Sequence, residues 1–176
     1  MTPVQVAKEE LRELFEKMDF SLLEPIFNND NLGQKEKGKI IEELNNVIFN
    51  NLKGTCPNCC WHQEFAPGSV WLNGAEEQVD DRVDIFGCCP FYRVVIEIDA
   101  TRADQVAKKA LSRIAYFGED RLLYVAFCYQ GPSGANPKEG EKYFKIIEHI
   151  LKTFNKDSEF LGVIIDKPQY RLRFFN

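Results

Sequence analysis

Long apolar runs are missing from this chain. The longest uninterrupted stretch, Leu122 to Tyr129, is eight residues, against about 18 for a membrane-spanning helix, so no span is expected. An excess of basic charge is missing too, since 22 Lys and Arg stand against 27 Asp and Glu for a net charge of −5. That balance excludes a surface built throughout to grip phosphate backbones, while leaving room for a local basic strip. Histidine is scarce, and neither His62 nor His149 has an evident partner in sequence for cysteine–histidine catalysis. Internal repeats, low-complexity tracts and flexible linkers are absent. The stretch from Met1 to Phe20 has neither the basic start nor the apolar centre of a secretory signal, so a cytoplasmic protein is expected.

What is present suffices for one core. The chain has 176 residues, 44% of them hydrophobic, and a chain of this size buries roughly 70% of its unfolded surface. A single domain over 1–176 is therefore expected. Thr2-Pro3 followed by Val6, Leu11, Leu14, Phe15 and Met18 predicts a capped amphipathic helix within a leading segment, 1–30. A second helix carries Ile40, Ile41, Leu44, Val47 and Ile48 on one face and ends at Gly54. Strand-like residues 61–72 are broken by Pro67-Gly68. Arg82–Phe86 and Tyr92–Asp99 read as a β-hairpin around Gly87-Cys88-Cys89-Pro90. A helix over 103–117, a continuous apolar strand over 122–129, a loop over 130–140, another helix and two closing strands follow. This order predicts an α/β fold with a mixed central sheet flanked by helices.

In Tyr92-Arg93-Val94-Val95-Ile96-Glu97-Ile98-Asp99 the side-chain period of two puts Glu97 and Asp99 on one face with Val95. The hairpin returns Asp84 towards Glu97. Oxygen ligands on rigid strands suit a hard cation, Mg²⁺ or Mn²⁺, which can generate hydroxide and neutralise a phosphoryl group in phosphodiester hydrolysis. The competing reading is the ordinary solvated face of an antiparallel sheet.

Asp84, a hairpin-length gap, then Glu97-Ile98-Asp99 followed by a helix resembles the PD-(D/E)xK nuclease superfamily, with its restriction-endonuclease-like fold. The likeness covers about residues 35–130. It implies Mg²⁺-dependent cleavage of DNA, with Asp84 as the motif aspartate, Glu97 as the second acid and Asp99 where lysine usually stands. It also implies an acid from the preceding helix, for which Glu43 suits better than Glu42, expected to point away from the core. Val83 stands where the family has proline. Some members carry the lysine on the following helix, where Lys109 and Gln105 share a flank; a solvated helix face is the alternative for Lys109. A non-catalytic binding or assembly module of the same fold is the other functional reading.

Five of the six cysteines are Cys56, Cys59, Cys60, Cys88 and Cys89. Cys56-Pro57-Asn58-Cys59 is half of a zinc knuckle, and no second spaced pair completes it. The cluster is expected to hold reduced thiols or Zn²⁺ rather than disulfides. The groups Lys35/Lys37/Lys39, Lys108/Lys109/Arg113 and Arg171/Arg173 are solvated faces or, if the fold gathers them, phosphate contacts.

Overall fold

Helix α1 (Pro3–Lys17) starts where the sequence predicts, with Thr2 and Gln5 forming a reciprocal cap: each side chain accepts from the other's backbone N–H. In the computed structural model, which describes residues 1–29, 31–66, 70–72, 75–77, 82–100, 103–117, 120–129, 137–166 and 170–176, a 3₁₀ turn (Ser21–Leu23) and the short α2 (Glu24–Asn28) lead to α3 (Gln34–Thr55). Then come β1 (Cys60–Phe65), β2 (Val70–Leu72), β3 (Ala75–Glu77), β4 (Val83–Cys88) and β5 (Arg93–Ala100). The chain closes with α4 (Ala103–Phe117), β6 (Leu122–Tyr129), α5 (Pro137–Phe154), β7 (Glu159–Asp166) and β8 (Arg171–Phe175).

Six strands form one mixed sheet in the order β1-β4-β5-β6-β7-β8, while β2 and β3 pair separately. The β5–β6 and β6–β7 pairs are parallel, and the outer pairs are antiparallel. Parallel neighbours need crossover connections, which α4 and α5 provide. Both helices lie on one face, over Val95, Tyr124, Ala126 and Phe160. Helices α1–α3 cover the other, over Ile96, Ile98, Val125, Phe127 and Val163. This double covering explains why β6 and β7 are buried at every position and read as apolar runs rather than alternating ones. The expected mixed α/β sheet with helices on both faces is what the chain forms.

Two local expectations change. Gly87 and Cys88 belong to β4, not to the turn; a Cβ at Gly87 would stand 2.6 Å from the Trp61 ring on β1, so this glycine admits a neighbour. Second, Cys59 and Cys89 are joined as a disulfide, where free thiols or a zinc pair with Cys56 were expected. Tertiary folding brings the hairpin turn back over the start of β1, leaving their Cα atoms 4.3 Å apart. The Cys59 sulfur is thus committed to Cys89, and Cys56 keeps a free thiol that burial pushes up in pKa. The Pro67-Gly68 break and residues 130–136 of the expected loop lie outside the described residues. Among those described, no helix is long and apolar enough to cross a membrane.

Candidate functional site

Strand β5 alternates as the sequence predicts. Val94, Ile96 and Ile98 join the core beneath α1–α3, and Val95 joins the one beneath α4 and α5. Glu97 lies on the α4 side and is 1% exposed, which overturns the solvated-face reading. Burying a carboxylate costs several kcal/mol unless charge and hydrogen bonds compensate it, so its surroundings decide what it can do.

Those surroundings come from α4, where Lys109 and Arg113 are four residues apart and share a face. Arg113 is itself 1% exposed; its Nε donates to Glu97 Oε1 at 2.6 Å and another guanidinium nitrogen donates to the Arg82 carbonyl at 2.7 Å. Lys109 Nζ lies 3.4 Å from Glu97 Oε2 and 3.3 Å from Asp99 Oδ2. From β4, Asp84 Oδ2 accepts the Ile98 backbone N–H at 2.7 Å. The β4–β5 register pairs Ile85 with Ile96, and one further step sets Asp84 across from Glu97.

Burial and the neighbouring Asp84 charge push the Glu97 carboxyl up to about 7, against the pull of Arg113 and Lys109. Burial also raises Asp84. At Lys109 burial is the largest single influence and lowers the pKa, but Glu97, Asp84 and Asp99 together outweigh it and hold the ammonium above its ordinary value. Cys128, beside Asp99 in the register, is pushed up to about 12 by burial, so its thiol stays protonated.

On the other side, Asp84 forms part of a cleft of about 590 Å³ against α3, with Lys37, Glu42, Asn45 and Glu64 also in its wall. Both Glu42 and Glu43 are exposed, but Glu42 borders the cleft and Glu43 is absent from its lining. The helical residue assigned from sequence is corrected by one position, because each step rotates a side chain by about 100° around the axis. Gln105 is half-buried one turn before Lys109.

The structure thus gathers Asp84, Glu97, Asp99 and Lys109, and does not bring Glu43 to them. Sequence reading passed over Arg113 as part of the site, Glu42 and Glu64. The i, i+4 spacing of Arg113 from Lys109 was the available signal for the first. For Glu64 no sequence signal exists; its φ of 49° belongs to the left-handed region, and it lines the cleft from β1.

Three carboxylates converge without forming a ready cage: among the described residues, no group of three His, Cys, Asp or Glu is arranged to hold a metal ion. Asp99 instead engages Lys109. The pair Asp84 and Glu97 nevertheless fits a hard cation. Both offer oxygen donors, and buried Glu97 Oε2 has the Lys109 ion pair but no hydrogen bond among the described residues. One or two carboxylates are the usual protein share around Mg²⁺, which keeps several waters.

No family model matches the chain, and no curated protein matches it. Among solved structures the chain is similar to Pyrococcus furiosus SfsA in complex with Ca²⁺, with 14% identity and a TM-score of 0.35. That likeness covers 76% of this chain and 62% of the other, so this chain spans less than two thirds of that protein. A likeness at this level defines neither family nor activity. Fold and site together define a three-layer mixed α/β protein with a buried acid–base cluster at the end of its central parallel strands.

Proposed function

We propose that this protein is a metal-dependent nuclease that hydrolyses phosphodiester bonds in DNA, with a restriction-endonuclease-like arrangement of its core. The observation that supports this most is Glu97: a buried carboxylate with one oxygen fixed by Arg113 and the other without a hydrogen-bond partner, facing Lys109. Asp84 and Glu97 would hold Mg²⁺ or Mn²⁺, which when bound supplies charge neutralisation at the phosphoryl group and acidifies a water. Lys109 stands in for the lysine whose usual strand position is filled by Asp99, and Asp99 steers its ammonium towards Glu97. From there the ammonium can hold a non-bridging phosphate oxygen or orient an attacking water. Arg113 is a positioning residue that fixes the Glu97 carboxylate plane. Gln105 is placed to assist Lys109. Lys37 in the cleft wall and the exposed Lys35 and Lys39 supply backbone contacts to the strand.

The test combines calorimetry and cleavage. Mg²⁺ binding is expected in the intact protein and is expected to vanish in Asp84→Asn and in Glu97→Gln. Lys109→Met should keep the metal and lower cleavage of DNA by ~10²-fold or more, the scale of a lost proton-transfer or charge-stabilising group. Mg²⁺ binding that survives both acid substitutions would sink the proposal. One observation favours a second reading: Lys109 and Arg113 already compensate the acids, as in a purely structural ion-pair network. Under that reading the protein is a non-catalytic binding module, and the acid variants lose stability without any metal-dependent heat in the parent.

A further inference from the structure

The Cys59–Cys89 disulfide has a second pair of cysteines beside it. Strands β1 and β4 run antiparallel with Cys60 paired to Cys88, and one further step of that register sets Cys59 across from Cys89. Cross-strand partners share a face of the sheet, and successive rungs alternate between its faces. Cys59 and Cys89 pack with the core beneath α1–α3, whereas Cys88 packs with the core beneath α4 and α5. Cys60 therefore stands beside Cys88 on the α4 side, one rung from the disulfide and on the opposite face. Both keep free thiols, with Cys60 exposed and Cys88 half-buried.

The two rungs differ in kind. Antiparallel rungs alternate between pairs that exchange backbone hydrogen bonds, with Cα atoms about 5.5 Å apart, and pairs that do not, at about 4.5 Å. The Cys59 N–H donates to the Cys56 carbonyl and the Cys89 N–H to the Tyr92 carbonyl, so their rung is of the second kind, in keeping with its Cα separation of 4.3 Å. Cys60 and Cys88 then form a rung of the first kind. A separation of about 5.5 Å lies inside the window of about 4.4–6.8 Å in which a disulfide closes without moving the backbone. Exposure makes such a bond accessible to thiols that reopen it. It also sets the order of events, because an accessible thiol reacts first and a sheltered neighbour resolves the product. The other two free thiols are less suited: burial raises the pKa of Cys56, and the buried Cys128 on β6 is pushed up to about 12.

We propose that Cys60 and Cys88 form a reversible thiol–disulfide exchange site for a small disulfide of the glutathione class. The Cys60 thiolate attacks one sulfur of the small disulfide, whose S–S bond breaks; one half leaves as a thiolate and the other stays on Cys60 as a mixed disulfide. The Cys88 thiolate then attacks Cys60 Sγ, forming the Cys60–Cys88 bond and expelling the second half as a thiolate. The two protein thiols give up two electrons and two protons, and the small disulfide gains them as two thiols. The closed bond staples β1 to β4 on the face opposite to Cys59–Cys89. This site is separate from the acid–base cluster and stands whether or not that cluster cleaves DNA.

The test incubates the full chain, with Cys59–Cys89 in place, with oxidised glutathione, quenches it in acid and follows it by mass spectrometry and by peptide mapping without reductant. A glutathione adduct on Cys60 is expected first. It should give way to a product lighter than the parent by two hydrogen atoms, in which Cys60–Cys88 and Cys59–Cys89 are both found. Cys88→Ser and Cys88→Ala should each stop at the Cys60 adduct, since the resolving thiol is gone. Cys60→Ser should lose both the adduct and the new bond; it alters an exposed side chain, so its readout does not depend on core packing. Excess reduced glutathione should return the parent with Cys59–Cys89 retained. Absence of any reaction in the parent overturns the proposal. So do an adduct that persists on Cys60 while Cys88 stays free, a new bond that uses Cys56, and a reaction unchanged by Cys60→Ser.

Discussion

Glu97 joins three influences in one carboxyl group: a dry position on β5, the negative Asp84 beside it, and two cations from α4. Their balance leaves the group titrating at about 7 instead of the ordinary 4.5. The sign follows directly. Between about 4.5 and about 7 the folded chain holds a proton that the unfolded chain has released, so this group's contribution to folding stability declines as pH rises through that window. Carbon-detected NMR of the Glu97 carboxyl should show a midpoint of about 7 that moves down in Asp84→Asn, because the raising charge is removed. At the proposed metal site Mg²⁺ would have to displace the same proton, so any Mg²⁺ affinity should climb as pH approaches that midpoint and flatten above it. A midpoint near 4.5 in the parent would show that the carboxyl is hydrated and not buried. Asp84, Glu97, Asp99 and Lys109, singled out from the sequence, lie close together in the structure. Glu42 and not Glu43 borders the cleft, because helical periodicity alone does not say which flank of the apolar stripe meets it.

Elements were legible wherever periodicity was strong. α1, α3, α4, α5 and the strands β5 to β8 lie where their apolar spacing puts them, because each has one face or both committed to a core. The 3₁₀ turn, α2 and β3 are short, and a few residues carry too little pattern to separate them from loop. The close approaches at Gly87, Gly140 and Gly162 were also hidden. Gly162 on β7 lies under Phe144 of α5, and a Cβ there would be driven into the aromatic ring. Gly162→Ala should therefore destabilise the protein by ~1–3 kcal/mol, the cost of overpacking a well-filled core. Urea unfolding measures this, and an unchanged midpoint would mean that α5 does not seat on β7 at that depth. The same contact sets the height of α5 over the sheet, and α4 packs beside α5, so the depth at which Lys109 and Arg113 reach β5 depends on it.

For the whole molecule, the sheet separates two cores, and the site lies where the parallel strands β5 and β6 end between α3 and α4. The Cys59–Cys89 disulfide ties the start of β1 to the hairpin turn across 30 residues of sequence. A loop of that size closed in the unfolded chain is worth roughly 3–4 kcal/mol by chain entropy. Reduction with a strong thiol, or Cys59→Ser, should lower unfolding free energy by about that amount and leave the Glu97 midpoint in place, since the bridge lies at the far end of the β4–β5 hairpin from Asp84. Equal denaturation curves with and without reductant would show that the bridge is not formed in solution.

The amino-acid sequence alone determined the mixed α/β class, the helices on both faces and the strand that carries Glu97 and Asp99 side by side, because these follow from periods of 3.6 and 2 in apolar residues. Only the tertiary structure decided which cations meet those acids, that Asp99 engages Lys109, and that Cys59 bonds to Cys89. It also decided which α3 carboxylate borders the cleft. Those outcomes depend on how far one packed element stands from another and how it is rotated, and no local pattern along the chain encodes either quantity.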